Sequence, residues 1–301
     1  MFKALAHAVL LEARLFFTAL QFFTRVPVPA WVGFEPAWLQ RCIRHFPLVG
    51  WVVGLWGSVV LGVASLWWPP AVAVVLSMAA TVWLTGAFHE DGWADTCDGL
   101  GGHVSRDKAL TIMKDSRLGT YGALGLALML MLKFAVLSAL LTPAVLDAQQ
   151  ASLGGIHPVL LGWTALGLVW AHAFSRLSPV LLLWALPYAG DADHAKAKPL
   201  AMQASLSDVF KALLTTALVA FGLWLCLDHL GWPWRTWLRA MGVSTAAALM
   251  VTLWVARWLH KRLGGFTGDT LGASQQLSEV ACLLAWLAVI HPVDWVRGAF
   301  A

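Results

Sequence analysis

The sequence predicts an all-α bundle of membrane-spanning helices, and three observations predict it. The chain is 59% hydrophobic and 12% charged over 301 residues, whereas a soluble domain carries about a quarter charged residues. Its mean hydropathy is +0.72. Seven apolar runs approach the roughly 20 residues that a helix needs to cross a bilayer. Lipid offers backbone groups no water, so each run must bond to itself as a helix, and the alternation of a barrel strand is absent. One integral-membrane domain over residues 1–301 follows.

In chain order, residues 8–26 carry Glu12, Arg14 and Gln21 among Leu and Phe and then meet Val26-Pro27-Val28-Pro29. That pattern suits a helix lying in the interface at least as well as a span, and the interfacial placement is the expectation. Glu12 and Arg14 also break any leader-like apolar core, so this helix is expected to stay in the mature chain. The seven spans are 46–68, 71–88, 119–141, 156–174 (with a second piece reaching 187), 209–230, 240–258 and 277–296. Trp67-Trp68 and Trp232-Pro233-Trp234 sit at span ends, where tryptophan anchors at the interface.

The net charge of +4 is spread over short loops without a basic run, which argues against nucleic acid as a partner and for lipid. Counting Lys and Arg by alternate loops puts twelve on one side (Arg25, Arg41, Arg44, Arg106, Lys108, Lys114, Arg117, Lys196, Lys198, Arg257, Lys261, Arg262) and three on the other (Arg235, Arg239, Arg297). The richer side is cytoplasmic. Loops 89–118, 188–208 and 264–276 are therefore expected on one face, able to build one site. Cys42, Cys97, Cys226 and Cys282 have no C-x-x-C spacing, so neither structural zinc nor a disulfide framework is implied.

Six of the sixteen acidic residues (Glu90, Asp91, Asp95, Asp98, Asp107 and Asp115) fall between positions 90 and 115, directly after an apolar run. Carboxylates near lipid are costly without a cation or a hydrogen-bond network. Asp91, Asp95 and Asp98 stand at i, i+4 and i+7, so a helix would carry them on one face. Oxygen-only ligands favour a hard cation such as Mg²⁺, which takes one or two carboxylates and completes its shell with substrate phosphate. Gly99, Gly101 and Gly102 would let backbone N–H groups approach an anion. Lys114, Ser116 and Arg117 offer phosphate donors, and Asp115 a general base. The parts fit phosphoryl transfer. The competing explanation is a solvated acidic face.

His89 serves either as substitute base or as support for a metal-bound carboxylate. Lys133, inside a span, either carries function or simply snorkels or pairs, and Arg176 either contacts a phosphate or anchors its helix at the interface, anchoring being the expectation. Thr267 and Asp269 either bind substrate or cap the helix that follows.

The run His89-x-Asp91-Gly92-x-Ala94-Asp95-x-x-Asp98-Gly99-x-x-Gly102, followed by Ile112-Met113-Lys114-Asp115-Ser116-Arg117-x-Gly119-Thr120-Tyr121-Gly122-Ala123, closely resembles the bacterial cobalamin synthases, the adenosylcobinamide-GDP ribazoletransferases. Arg25-Val26-Pro27-Val28-Pro29, Phe46-Pro47-Leu48-Val49-Gly50 and Gly264-Gly265-x-Thr267-Gly268-Asp269-x-Leu271-Gly272-Ala273 resemble the family's other recurring stretches, in order and over nearly the full length. The resemblance implies an integral-membrane, Mg²⁺-dependent enzyme, and the basic-loop count would face its site to the cytoplasm from the bacterial inner membrane. It would join α-ribazole, or its 5′-phosphate, to adenosylcobinamide-GDP and release GMP. Asp91, Asp95 and Asp98 would hold the metal. Lys114, Asp115 and His89 would be catalytic, and Gly99, Gly102, Ser116, Arg117, Thr267 and Asp269 would bind substrate. Oligomeric state stays open.

Asp95-x-x-Asp98-Gly99 also looks like the opening of the CDP-alcohol phosphotransferase motif, but Gly102-His103 stand where that motif has Ala-Arg, and its later aspartates are unmatched by Asp107 or Asp115. A transporter is the rival class, with the aspartates as an ion path and Lys133 as a coupling charge; it predicts related halves, and no internal repeat is evident.

Overall fold

The architecture, given by a computed structural model, is described for residues 2–142, 158–190, 203–229 and 233–291. Helix α1 (Phe2–Phe23) leads through a Pro-rich loop to the short α2 (Pro36–Arg41) and then to α3 (Phe46–Ala64), against which α4 (Pro70–Thr85) returns. There follow α5 (Phe88–Gly101), α6 (Arg106–Met113), α7 (Thr120–Leu141), α8 (Pro158–Ser175), α9 (Leu177–Ala185), α10 (Leu206–His229), α11 (Trp234–Leu263) and α12 (Gly268–Ile290). No extended strand forms among the described residues; a single bridge joins Tyr188 to Phe266.

Seven stretches are long and apolar enough to span a membrane: Lys3–Phe23, Pro36–Ala64, Thr120–Leu141, Pro158–Ala185, Leu206–Leu225, Trp234–Leu263 and Gly268–Ile290. α4 and α5 meet the same test only as a pair, bent by 88°. The straight span expected over 71–88 therefore ends early, at Thr85. Gly86 adopts the left-handed conformation (φ 65°), its N–H donates to the Trp83 carbonyl, and the Ala87 N–H reaches back to the Val82 carbonyl. This pairing closes a helix end with glycine and turns the chain aside. Ala87 is itself left-handed (φ 60°), a strained choice for a residue with a Cβ.

α12 starts nine residues before the expected 277, because Thr267 caps it in a capping box with Thr270. Residues 292–296 of that expected run, and Lys196 and Lys198 of the basic count, lie outside the described residues. The 156–174 run does continue in a second piece: α8 and α9 are joined at Arg176 alone. The interfacial expectation for residues 8–26 rested in part on Glu12, whose carboxylate is paired. Glu12 accepts from Arg44 Nη1 at 3.1 Å and contacts His45 Nε2 at 3.0 Å, and Arg44 Nη2 reaches Asp208 of α10 at 2.8 Å. With Glu12 paired to Arg44 and His45, just before α3, and Arg14 over the Trp38 ring, α1 has the length and apolarity of a span.

α12 is the hub, packing on α5, α7, α8, α9 and α11. α3 and α8 touch backbone to backbone: a Cβ on Gly50 would stand 2.2 Å from the His172 carbonyl oxygen, and one on Gly54 would stand 2.6 Å from the Val169 Cα. One end of the bundle collects its loops. The Arg25 N–H donates to Leu84, Arg106 donates to the carbonyls of Leu263 (2.7 Å) and Ala189 (2.8 Å), Arg262 to Gly102 (3.1 Å), and the Ala189 N–H to Phe266 (2.8 Å). The segments around 102–106, 187–190 and 262–267 are thereby tied together, as the alternation of basic loops anticipates.

Gly50→Ala is expected to destabilise the bundle by about 1–3 kcal/mol through overpacking. Gly62→Ala on the same helix has nothing within 4 Å of the new Cβ and should be neutral or slightly stabilising. Thermal unfolding in detergent reads both, and equal midpoints would contradict the close α3–α8 contact.

Candidate functional site

The acidic run forms a helix because nothing in it breaks one after Ala87, and α5 carries Asp91, Asp95 and Asp98 as expected from their spacing. A cavity of about 520 Å³ opens at the loop-rich end of the bundle. α5 lends it Phe88, His89, Asp91, Gly92 and Asp95. The segment after α6 lends Lys114, Asp115 and Ser116, and the α12 start lends Thr267, Gly268 and Asp269. Segments more than 150 residues apart in the chain thus share one wall.

Gly92 makes this convergence physical. A Cβ there would lie 2.8 Å from the Asp269 carbonyl oxygen and 3.1 Å from its Cα, so α5 and the α12 N-terminus meet with no side chain between them. Asp269 is brought close enough to Asp91 and Asp95 for the three to repel one another. Among the described residues, no three His, Cys, Asp or Glu groups form a ready-made metal cage. The donor set nonetheless suits Mg²⁺, which keeps waters and substrate phosphates in its shell and needs only one or two carboxylates.

Asp98 departs from the expected trio. It lies two turns beyond Asp91, roughly 10 Å along the axis, which carries it past the cavity to the start of α7. There its carboxylate accepts the Gly119 N–H at 2.8 Å and the Gly122 N–H at 2.7 Å, closing two of the open donors of a helix N-terminus. Gly99 and Gly102 do not cradle an anion either. Gly99 is inside α5, where a Cβ would sit 2.6 Å from Met113 Cγ, and the Gly102 carbonyl receives Arg262. Neither lines the cavity. The small size of Gly99 serves the packing of α5 on α6.

Asp115 and Ser116 line the cavity, but Arg117 does not; its exposed guanidinium forks onto Asp115, with Nη2 at 2.6 Å and Nε at 3.0 Å from the carboxylate. Thr267 is both cap and cavity residue: its hydroxyl accepts the Thr270 N–H at 3.3 Å. His89 is buried, stacked on Phe23 with ring centroids 5.4 Å apart.

Sequence reasoning missed the polar seam beneath the site. Lys133 Nζ contacts Glu279 at 2.6 Å and donates to Gln276 at 2.7 Å. Glu279 also accepts from Gln275 at 2.6 Å and meets His172 Nδ1 at 3.3 Å, while Gln276 donates to Glu90 at 3.1 Å. Lys133 is thus paired in the core rather than snorkelling. Arg176, expected as an interfacial anchor, is 2% exposed and donates to the His172 carbonyl at 2.8 Å; its helix does not end at the interface but continues as α9. The available signal was Glu279 within an apolar run, opposite the one lysine of another span.

Comparison with known proteins gives the family. A family model described as cobalamin-5-phosphate synthase matches residues 15–287. The chain belongs to that family. It is 56% identical over 282 residues to an adenosylcobinamide-GDP ribazoletransferase of Leptothrix cholodnii, covering 93% of this chain and 97% of the relative. It is 41% identical to proteins of the same name from Shewanella frigidimarina (92% of this chain, 95% of the relative) and a Polaromonas species (90% and 95%). No solved structure matches the chain.

The geometry separates two kinds of aspartate. Asp91→Asn and Asp269→Asn should keep the fold but lower turnover tenfold or more, about 1.4 kcal/mol on the barrier. Asp98→Asn, which loses one of two capping oxygens, should instead lower stability by about 1 kcal/mol. Melting curves in lipid beside turnover distinguish the groups; an Asp269→Asn protein of full activity would remove its carboxylate from the site.

Proposed function

We propose that this chain transfers the phosphorylated adenosylcobinamide group of adenosylcobinamide-GDP to α-ribazole, or to α-ribazole 5′-phosphate. GMP is released, Mg²⁺ is the cofactor, and the site faces the cytoplasm from a bacterial inner membrane. The observation that carries this reading is the single cavity in which Asp91, Asp95 and Asp269 stand across from Lys114–Ser116, in a chain aligned over nearly its whole length with ribazoletransferases.

The reaction breaks the phosphoanhydride of the activated corrinoid and forms a phosphodiester to the ribazole hydroxyl oxygen, with the hydroxyl proton passing to a base. Asp91, Asp95 and Asp269 are the residues that would hold Mg²⁺, whose chemistry is to neutralise charge on the pyrophosphate as it is cleaved. Lys114 lies at the cavity and adds positive charge for the same oxygens. Ser116 can donate to phosphate. Asp115 and His89 both border the cavity and are the two groups placed to receive the proton. Burial at one end of the bundle, rather than at its middle, supports an enzyme over a carrier, whose site belongs near the midplane.

Protein reconstituted in lipid with adenosylcobinamide-GDP, α-ribazole and Mg²⁺ should release GMP, and EDTA should abolish the release. Product in wild-type amounts without divalent metal would rule out the carboxylate metal site, and no GMP at all would rule out the activity.

Orientation has its own check. Single cysteines at Asp107 and Gly268, both exposed positions, are expected to react with a membrane-impermeant maleimide only from the cytoplasmic side. Labelling of either from the periplasm overturns the cytoplasmic site.

A further inference from the structure

Part of the cavity wall is built of aromatic rings. Phe22 and Phe23 end α1, Phe46 opens α3 and Phe88 opens α5; all four line the cavity. Phe22 and Phe88 meet at 5.3 Å between centroids, Phe23 and Phe88 at 5.5 Å, and Phe23 and Phe46 at 4.6 Å, each pair edge to face. Phe23 and Phe46 are buried, whereas Phe22 is 37% and Phe88 42% exposed. Two rings are thus held by two others behind them and offer surface to an occupant. Phe88 and Asp91 are i and i+3 on α5, so they are neighbours on the helix surface, one turn or roughly 5 Å apart.

Resting on the reaction proposed above, we infer that this wall is the subsite for the heterocyclic base of the incoming nucleoside, and that Phe88 and Phe22 set the preference for the apolar benzimidazole base of α-ribazole over purine bases. Two bases enter the reaction. Guanine presents donors and acceptors along its edge, and each left unpaired in a buried site carries a penalty. Phenylalanine rings offer no partner for that edge. A benzimidazole with ring methyl groups carries a single ring-nitrogen acceptor and no donor, so it gives up far less against them than guanine, and it presents a flat face for stacking. Spacing agrees with the choice: a base resting on Phe88 leaves its ribose about one turn away, beside Asp91, where the attacking hydroxyl must meet the pyrophosphate.

The test uses full-length protein in lipid nanodiscs, with KM measured separately for α-ribazole, for the α-riboside of adenine, and for adenosylcobinamide-GDP. Phe88→Ala is expected to raise the KM for α-ribazole by about tenfold, the scale of a lost aromatic stack on a base. The KM of the adenine nucleoside should change much less, and that of adenosylcobinamide-GDP by less than twofold. Phe88→Leu keeps an apolar side chain for folding but removes the ring, and it should show the same loss of selectivity; it decides the matter if Phe88→Ala fails to insert. Equal changes for both nucleosides, or a change confined to adenosylcobinamide-GDP, would overturn the subsite. Equilibrium dialysis of α-ribazole with wild type and Phe88→Leu separates this from the reaction itself. Wild-type binding that weakens in the variant upholds the subsite even if no GMP forms, and binding that the variant leaves unchanged refutes it even if GMP does.

Discussion

The structure depends on the buried pair of Lys133 and Glu279. A charge in a hydrocarbon-embedded bundle is costly, and removing one member of a buried pair strands the other. Here the ammonium of α7 and the carboxylate of α12 meet at 2.6 Å, Gln276 accepts from Lys133, Gln275 donates to Glu279, and His172 Nδ1 lies 3.3 Å from the same carboxylate. Apolar helix faces slide past one another at little cost, whereas this network is satisfied in one register only. It fixes α7, α8 and α12 together, and through Gln276 and Glu90 it fixes α5 as well. Asp269 is ten residues before Glu279, roughly 15 Å up α12, and Asp91 follows Glu90 directly. The cavity carboxylates Asp91 and Asp269 are thus positioned from this buried core.

The second constraint is how each interrupted backbone is satisfied at the loop-rich end. The end of α4 is closed by Gly86, the start of α7 by Asp98, the start of α12 by Thr267, and the carbonyl ends of α5 and α11 by Arg262 and Arg106. Breaks in helices near lipid are tolerated where protein groups replace the lost partners. Each closure also ties one loop to another, so the turn that interrupts α4 and the caps that begin α7 and α12 enclose a cavity instead of fraying into solvent.

The helices were legible because lipid imposes a length and a composition on every span, which is why the runs at 46, 119 and 209 match α3, α7 and α10 closely. The acidic helix was legible because i, i+4 and i+7 is a property of one element. What the sequence could not show is pairing between elements. Nothing local says that Asp98 meets amides 21 and 24 residues later, or that Gly92 is small because Asp269 passes beside it. The packing role of Gly99 was hidden for the same reason: glycine beside aspartate fits an anion cradle and a tight helix contact equally, and Met113 lies beside it only in the fold. The break at Gly86–Ala87 was hidden by an unbroken apolar run, since a left-handed alanine leaves no mark in composition.

That break explains why one short helix can carry both halves of the cavity. Had α4 continued straight, Phe88 and Asp91 would lie along the same membrane-directed axis, and the rings and the carboxylates would compete for one environment, apolar or wet. Turning the chain by 88° lays α5 across the end of the bundle. Its Phe88 then packs with the α1 terminus, while Asp91 and Asp95 come near Asp269 at the α12 N-terminus. A polar anhydride and an apolar base can be held side by side only where hydrocarbon and carboxylate walls adjoin within a turn of helix. The strained Ala87 is the conformational cost of that adjacency.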